Sequence, residues 1–284
     1  MGTTVRGAFR NRLLGIALRT ARKDAHFGVR ELARRVGVNP ALLSNWELGE
    51  RTPKRDDVAG ILGALGVTGE EKQRILHLAR LTGPGLILPG NLNNRDHHAA
   101  LRDCETLATK IHAWHPLQIP DLLQIPDYTL AALHAQGIDA EDSRELVALR
   151  TESGNIIHGP DATPLTAFIG ASALTNIVGT PEIMRRQLDM LIVPTTGTTV
   201  RIVPDDIDEH PGRSGPFTLY DTPAATVAYI SHRNAGTFLP DDHGEHRDII
   251  DRLDKIAMTP TESAMTIGDT TTTYTTTYTP TEHH

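Results

Sequence analysis

Cysteine is almost absent from this sequence of 284 residues, in which Cys104 stands alone. Because one thiol cannot form an internal disulfide, the composition favours a reducing compartment, and we expect a cytoplasmic protein. No apolar run reaches the length of about 18 residues that a membrane-spanning helix needs, so we expect no membrane partner. Residues 1–12 are polar and basic and lack the apolar core of a secretory signal, so we expect none.

The motifs of several enzyme classes are also missing. The sequence contains no G-x-S-x-G, no phosphate-binding P-loop, no G-x-G-x-x-G and no H-E-x-x-H. His112 with His115, and His243 with His246, have the i,i+3 spacing of two ligands on a helix. No cysteine cluster or third spaced ligand accompanies either pair. The sequence therefore predicts no catalytic activity, no metal site and no cofactor.

Positive charge is concentrated at the start of the chain. Residues 1–80 hold 15 Lys and Arg against 8 Asp and Glu, whereas the other 204 residues hold 13 against 27. A basic head on an acidic body is expected when the head alone meets a polyanion, although chance clustering on two solvated surfaces gives the same count.

Residues 10–82 carry a helical pattern, with apolar residues recurring at intervals of three and four. Gly28, Gly37, Gly49 and Gly66 fall where the helices should stop. The pattern predicts an all-α bundle of five helices over residues 10–82. Clusters of Gly, Pro and Asn then predict a linker at residues 83–97.

The sharpest signal lies between Gly28 and Gly49. Leu32 and Ala33 should form the buried face of one helix, and Gly37 the turn after it, since glycine adopts a left-handed conformation readily. Asn39 as N-cap and Pro40 at the first helical position should then start a second helix. The segment therefore predicts two short helices joined by a tight turn.

This helix pair resembles the Cro/C1-type (XRE) helix-turn-helix, a lambda-repressor-like DNA-binding domain. The matching residues are Glu31, Leu32, Ala33, Val36, Gly37, Val38, Ser44, Trp46, Glu47, Gly49 and Arg51. The resemblance covers residues 10–82 and implies binding to double-stranded DNA as a homodimer on two half-sites. It also implies a structural ion pair between Arg22 and Glu47. The alternative is a small helical bundle that contacts protein instead of DNA.

The second helix of the pair would enter the major groove with its first turns. Leu43 and Trp46 should face inward, which leaves an outward set of predicted base contacts: Asn39, Pro40, Ala41, Leu42, Ser44 and Asn45. Among these, Asn45 is expected to pair with an adenine edge. Arg and Lys are missing between Val38 and Glu50, so most of the affinity should come from phosphate contacts. The predicted phosphate contacts are Arg30, Arg34, Arg35, Arg51, Lys54 and Arg55.

Residues 98–268 have a mixed pattern. An amphipathic helix is predicted from Asp96 through Trp114, and short β-rich runs at residues 165–169, 198–203, 217–221 and 226–230 predict a small sheet of about four strands. Further helical segments make this an α+β domain. The Thr-rich residues 269–284 lack a core-forming pattern and are predicted to be a disordered tail.

This second domain is similar to the C-terminal domain of many actinobacterial XRE regulators, described as antitoxin-like and without established chemistry. The resemblance covers residues 98–268. Matching residues include Glu105, Ala108, Pro120, Leu122, Leu123, Gln124, Tyr128, Gln187 and Leu188. Asp121 departs from the family pattern by replacing a glycine, and Gly170 with Ala171 stands where relatives tend to have an acidic pair.

The loop at residues 210–217 is the candidate ligand or partner site of the second domain, because loops of this composition at a strand end often line a pocket. The alternative is a rigid connection between strands. Its candidate residues are His210, Pro211, Gly212, Gly215, Pro216 and Phe217.

Two functional hypotheses follow. The first is a sequence-specific DNA-binding transcriptional regulator whose C-terminal domain senses a ligand or a partner. The second is an antitoxin-like protein that binds a small protein encoded nearby and autoregulates its operon.

Overall fold

The computed structural model describes residues 5–80, 86–89, 95–193, 195–207, 210–223, 225–232, 235–241 and 243–277. This part of the chain contains helices and strands in mixed order. The helices are α1 (Val5–Asp24), α2 (Val29–Val36), α3 (Pro40–Glu47), α4 (Arg55–Ala64), α5 (Gly69–Arg80), α6 (Arg95–Leu107), α7 (Pro126–Ala135), α8 (Ala140–Gly154), α9 (Ser172–Thr175), α10 (Pro181–Ile192), α11 (Glu245–Ile256) and α12 (Pro260–Thr277). The strands are β1 (Leu86–Pro89), β2 (Lys110–His115), β3 (Leu165–Gly170), β4 (Thr198–Val203), β5 (Phe217–Asp221), β6 (Thr226–His232) and β7 (Ala235–Pro240).

The chain divides into two compact units. The first is drawn from Met1–Leu107, Thr222–Ala228 and His232–His243, and the second from Ala108–Asp221, Tyr229–Ser231 and Gly244–His284. The expected fold class is confirmed: an all-α region of five helices is followed by an α+β region. The described strands number seven, more than the four expected. None of the helices in the described part of the chain is long and apolar enough to cross a bilayer.

Helices α1–α5 bury one apolar face each, as their three- and four-residue spacing predicts. Their fully or nearly fully buried side chains are Leu13, Leu14, Ala17 and Leu18 of α1, Leu32 and Ala33 of α2, Leu43 and Trp46 of α3, Val58, Ile61 and Leu62 of α4, and Ile75 and Leu78 of α5. Burial of this apolar surface is the main stabilising contribution to the bundle, because no disulfide is available.

The second unit contains a mixed sheet centred on β2. Strand β3 pairs with β2 in parallel, with Ile111 opposite Leu165, and β4 continues the parallel arrangement, with Leu165 opposite Thr198. On its other side β2 pairs antiparallel with β5, so that Trp114 lies opposite Phe217. Strand β2 therefore has a neighbouring strand along each edge, and four of its six residues are buried.

The predicted helix from Asp96 through Trp114 is wrong in its second half. Helix α6 ends at Leu107, and Lys110–His115 forms β2. The backbone N–H of Thr109, directly before β2, already donates to Asp221 O of β5 at 2.7 Å. The apolar spacing of three and four is present, but hydrogen bonds to two distant strands outweigh it, which a local pattern does not reveal.

The linker expected at residues 83–97 is partly structured. Residues 83–85 and 90–94 lie outside the described residues. Leu86–Pro89 forms β1, which pairs antiparallel with β7 within the first unit, with Leu86 opposite Phe238. Helix α6 begins at Arg95, inside the expected linker.

The Thr-rich segment also differs from the expected disordered tail, because α12 continues through Asp269 to Thr277. Thr271 and Tyr274 are buried, and the Tyr274 hydroxyl donates to Leu174 O at 3.0 Å. Hydroxyls of successive threonines bond to carbonyls four residues earlier, which satisfies them within the helix. Residues 278–284 lie outside the described residues.

A buried glutamine fixes the entry to α7 in the second unit. Gln187 of α10 is fully buried. Its Oε1 accepts from Ile125 N at 2.8 Å, and its Nε2 donates to Leu123 O at 2.8 Å. One side chain thus satisfies two backbone groups at the junction between a 3-10 turn and a helix, where the chain has no secondary-structure partner for them.

Candidate nucleic-acid interface

Helix α2 stops at Gly37, which adopts φ of 73° in the left-handed region. Such a conformation is inexpensive for glycine alone, and it turns the chain sharply toward α3. The Val38 N–H then donates to Ala33 O at 2.9 Å, which satisfies a carbonyl at the end of α2. The turn between α2 and α3 is therefore fixed by backbone geometry.

Helix α3 begins as the sequence predicts. Asn39 is the N-cap, and its side-chain oxygen accepts from Ala41 N at 2.8 Å. Pro40 occupies the first turn, where it has no N–H to leave unsatisfied. Because the Asn39 side-chain oxygen already accepts from Ala41 N, the amide nitrogen is the part of this side chain available to a ligand.

The two faces of α3 differ sharply. Leu43 is fully buried and Trp46 is 5% exposed. The predicted base-contacting residues fall on the other face: Asn39, Pro40 and Ala41 are exposed, and Leu42, Ser44 and Asn45 are half-buried. The helix thus presents an open edge of small and uncharged side chains.

Helix α1 holds the opposite side of α3 through bare backbone. A Cβ added at Gly15 would lie 2.6 Å from Trp46 O, and one at Gly49 would lie 2.7 Å from Arg12 Cα. Only glycine permits either approach. The Arg12 Nη1 donates to Leu48 O at 2.6 Å across the same contact. The end of α3 is therefore fixed in place against α1.

A buried ion pair adds to this contact. The Arg22 Nε and Nη2 donate to the two carboxylate oxygens of Glu47 at 2.6 and 2.8 Å, and Nη1 donates to Phe27 O at 2.8 Å. Arg22 is 8% exposed and Glu47 is 6% exposed. The hydrogen bond to Glu47 raises the pKa of Arg22 above its ordinary value. The pair joins α1 to the last turn of α3 and does not face solvent.

The six predicted phosphate contacts all lie at the surface. They belong to α2, to the segment after α3 and to the start of α4, and comprise Arg30, Arg34, Arg35, Arg51, Lys54 and Arg55. The Arg35 guanidinium also lies 5.2 Å from the centroid of the Phe27 ring, in a cation–π contact. The Asp57 carboxylate accepts from Lys54 N at 3.0 Å and so caps α4. The cations are thus presented from ordered elements.

The side chain of Asn45 has two neighbours of its own. In the amide orientation that satisfies them, Nδ2 donates to Ala41 O at 3.2 Å and to Glu50 Oε2 at 3.3 Å. The backbone carbonyl oxygen of Asn45 accepts from Glu50 N at 2.9 Å and from Arg51 N at 3.2 Å. An acidic side chain is therefore placed beside the open edge of α3.

The loop at residues 210–217 is fixed to β2. Trp114 Nε1 donates to Gly212 O at 2.6 Å, and the Trp114 and His210 rings meet edge to face at 5.9 Å. Phe217 is 5% exposed and contacts His246 ring to ring at 5.0 Å. Pro211 begins a 3-10 turn, Gly215 is half-buried, and Pro216 is exposed. These contacts attach the loop to β2 and to α11.

The two histidines of β2 lie on opposite faces of the strand, because successive side chains alternate. They cannot act as neighbouring ligands on a helix. The His112 side chain is 8% exposed, and its Nε2 lies 4.0 Å from Asp221 Oδ2. Burial, with smaller effects of Arg247 and Lys110, lowers its pKa to about 4. Across the described residues, no three His, Cys, Asp or Glu side chains converge as a metal site requires.

The larger part of the chain decides its family. A family model described as Domain of unknown function (DUF5753) matches residues 98–269, more than half of the sequence. The chain belongs to the DUF5753 family. A second model, described as Helix-turn-helix domain, matches residues 13–75, which run from α1 into α5. No curated protein and no solved structure matches the chain. This member of the DUF5753 family thus carries an N-terminal domain of the type that DNA-binding regulators use.

Three contacts in the structure were not predicted from the sequence. The contact of Glu50 with Asn45 was not predicted, because it depends on the turn at Gly49. In the DUF5753 domain, the burial of His112 was hidden by the incorrect helix prediction. Gln187 appeared as a matching residue of the resemblance, yet its contacts with two backbone groups required the fold.

Proposed function

We propose that this DUF5753 protein is a transcriptional regulator of the Cro/C1 type that binds specific sequences of double-stranded DNA through α3. The observation that carries the proposal is the open edge of α3 between exposed cations. The proposed base contacts are Asn39, Pro40, Ala41, Leu42, Ser44 and Asn45. The proposed phosphate contacts are Arg30, Arg34, Arg35, Arg51, Lys54 and Arg55.

Physical fit supports this proposal. The major groove admits one α-helix, and the exposed edge of α3 carries no bulky or charged side chain that would hinder entry. Exposed cations precede α3 on α2 and follow it in the segment that leads into α4, so they are available to contact phosphates. The excess of 15 basic over 8 acidic residues in residues 1–80 favours the same partner.

Salt dependence tests the phosphate contacts. Affinity of the full chain for a labelled random duplex is measured by fluorescence anisotropy at several salt concentrations. Replacing Arg51 and Arg55 by Ala should reduce the slope of log K against log salt by about two. Each DNA phosphate that loses its contact keeps about one counterion when the protein binds. A matched variant, with Arg252 and Lys255 of α11 replaced by Ala, removes the same charge from exposed positions of the second unit.

The control variant should keep the wild-type slope. An unchanged slope in the Arg51 and Arg55 variant, or an equal change in both variants, would show that the cations near α3 do not contact phosphate. Absence of any salt-dependent binding by the wild-type chain would refute the proposed function.

We further propose that the protein acts as a homodimer, with two α3 helices on half-sites about 34 Å apart. A single helix-turn-helix reads few base pairs, and this α3 has no Arg or Lys to strengthen direct contacts. Light scattering of the free and DNA-bound protein, together with the symmetry of its footprint, tests this proposal. A monomer on an asymmetric footprint would contradict it.

For the DUF5753 domain we propose a sensing role toward a ligand or a partner. Acidic residues exceed basic ones beyond residue 80, 27 against 13, which disfavours binding of a polyanion by this domain. The antitoxin-like alternative requires a stable complex with the small protein encoded nearby. Co-expression and co-purification with that protein would separate this alternative from small-molecule sensing.

A further inference from the structure

The amide of Asn45 is not free to read DNA as an unconstrained asparagine would. Adenine recognition by asparagine needs one N–H to donate to N7 and the oxygen to accept from N6. An amide nitrogen carries two hydrogens. Here the two acceptors within reach of Nδ2 are Ala41 O at 3.2 Å and Glu50 Oε2 at 3.3 Å. With both hydrogens engaged, Asn45 offers only Oδ1, a hydrogen-bond acceptor.

Glu50 is held beside Asn45 by the backbone. Gly49 has φ of 71°, which reverses the chain directly after α3. The backbone carbonyl oxygen of Asn45 then accepts from the backbone N–H groups of Glu50 and Arg51. Glu50 itself is exposed, so its carboxylate adds a second acceptor beside Asn45. The two side chains together form an acceptor-only site on the open edge of α3.

We propose that Glu50 determines the base preference of Asn45, so that the pair selects a base with an exocyclic amino group, and cytosine first. This inference rests on the proposed DNA-binding function. Cytosine N4 is a donor in the major groove, whereas guanine O6 and N7 and thymine O4 are acceptors and would be repelled. Adenine has a donor at N6, but its N7 acceptor lies beside the same oxygens, so adenine ranks below cytosine.

The test is selection of bound sequences from random duplexes by the full chain. Asn45→Ala should flatten one column of the selected motif and thereby identify the position that Asn45 reads. In the wild type this column should be a C·G pair, whose cytosine the site contacts. Glu50→Ala frees the amide for adenine, so the ratio of A·T to C·G pairs in that column should rise by about tenfold or more, the range of one bidentate contact.

Glu31→Ala is the matched control. Glu31 is an exposed acid on α2, and its removal changes the charge of the same domain equally without touching Asn45. It should raise affinity for all duplexes and leave the column unchanged. A preference for the A·T pair in the wild-type column, or an unchanged column in Glu50→Ala, would overturn the inference while leaving DNA binding intact. Failure of the wild type to bind any duplex would overturn the proposed function and this inference together.

Discussion

The ion pair between Arg22 and Glu47 gives the most quantitative prediction. Replacing Glu47 by Gln preserves the shape of the side chain but removes its charge. Arg22 then keeps a positive charge at a site only 8% exposed, with Phe27 O as its remaining strong acceptor. Removing one partner of a buried ion pair destabilises proteins by about 3–5 kcal/mol. We expect the loss here near the lower limit, about 3 kcal/mol, because the Gln oxygen still accepts one hydrogen bond.

The chain supplies its own control. In α10, Arg185 contacts Glu182 through two hydrogen bonds of 2.8 and 3.0 Å, a two-bond geometry like that of the Arg22 pair. The two side chains are 33% and 63% exposed, however, so water compensates for a lost partner. Exposed pairs contribute little to stability. Glu182→Gln should therefore leave α10 nearly as stable as in the wild type.

Hydrogen exchange in the full chain measures the difference. A loss of about 3 kcal/mol should accelerate exchange of the α3 amides by about two orders of magnitude in Glu47→Gln, whereas Glu182→Gln should change exchange of the α10 amides little. Equal acceleration in the two variants would refute the argument that burial makes the Arg22 pair important. A double change of Arg22 and Glu47 to Met should recover most of the loss, because no unpaired charge remains.

Three further predictions concern packing and pH. The pKa of His112 is about 4 when folded, below its ordinary value of 6.5, so the unfolded chain takes up the proton first as pH falls from 6.5 towards 4. Over this window, the free energy of unfolding of the wild type should therefore drop by as much as about 3 kcal/mol more than that of His112→Leu, measured by urea denaturation at a series of pH values. Gln187→Leu leaves two backbone groups without partners and should lower the free energy of unfolding by about 1–3 kcal/mol for each, measured by urea denaturation. Gly15→Ala should destabilise the bundle by about 1–3 kcal/mol because its Cβ meets α3, while Gly60→Ala, with open space around its Cβ, should stabilise α4 by up to about 1 kcal/mol. Equal thermal midpoints for the two alanine variants would contradict the close approach of α1 and α3.

Local physical chemistry explains why the N-terminal half could be predicted. The turn at Gly37, the cap at Asn39 and the start at Pro40 each depend on residues within four positions of one another. The inward direction of Leu43 follows from helical periodicity alone. The sequence therefore contains all the information needed to place the open edge of α3.

The remaining features depend on partners far along the chain. Strand β2 forms because Ile111 and Trp114 pair with residues more than 50 positions away, which its own spacing does not encode. Tyr274 orders the end of α12 by reaching Leu174, so a segment of low-complexity appearance becomes helical. At the candidate interface, helical periodicity places Asn45 on the outward face of α3, but its hydrogen-bonding state depends on the position of Glu50.

The contact of α1 with α3 through glycine backbone has a mechanical consequence. Where carbonyl groups meet bare Cα atoms, no side chain can change its rotamer to absorb a displacement. The open edge of α3 should then be preformed, and in the proposed DNA complex the protein need lose little conformational entropy on association. Any adjustment of fit would fall to the duplex, so the flexibility of base steps beside the contacted ones would enter the selectivity.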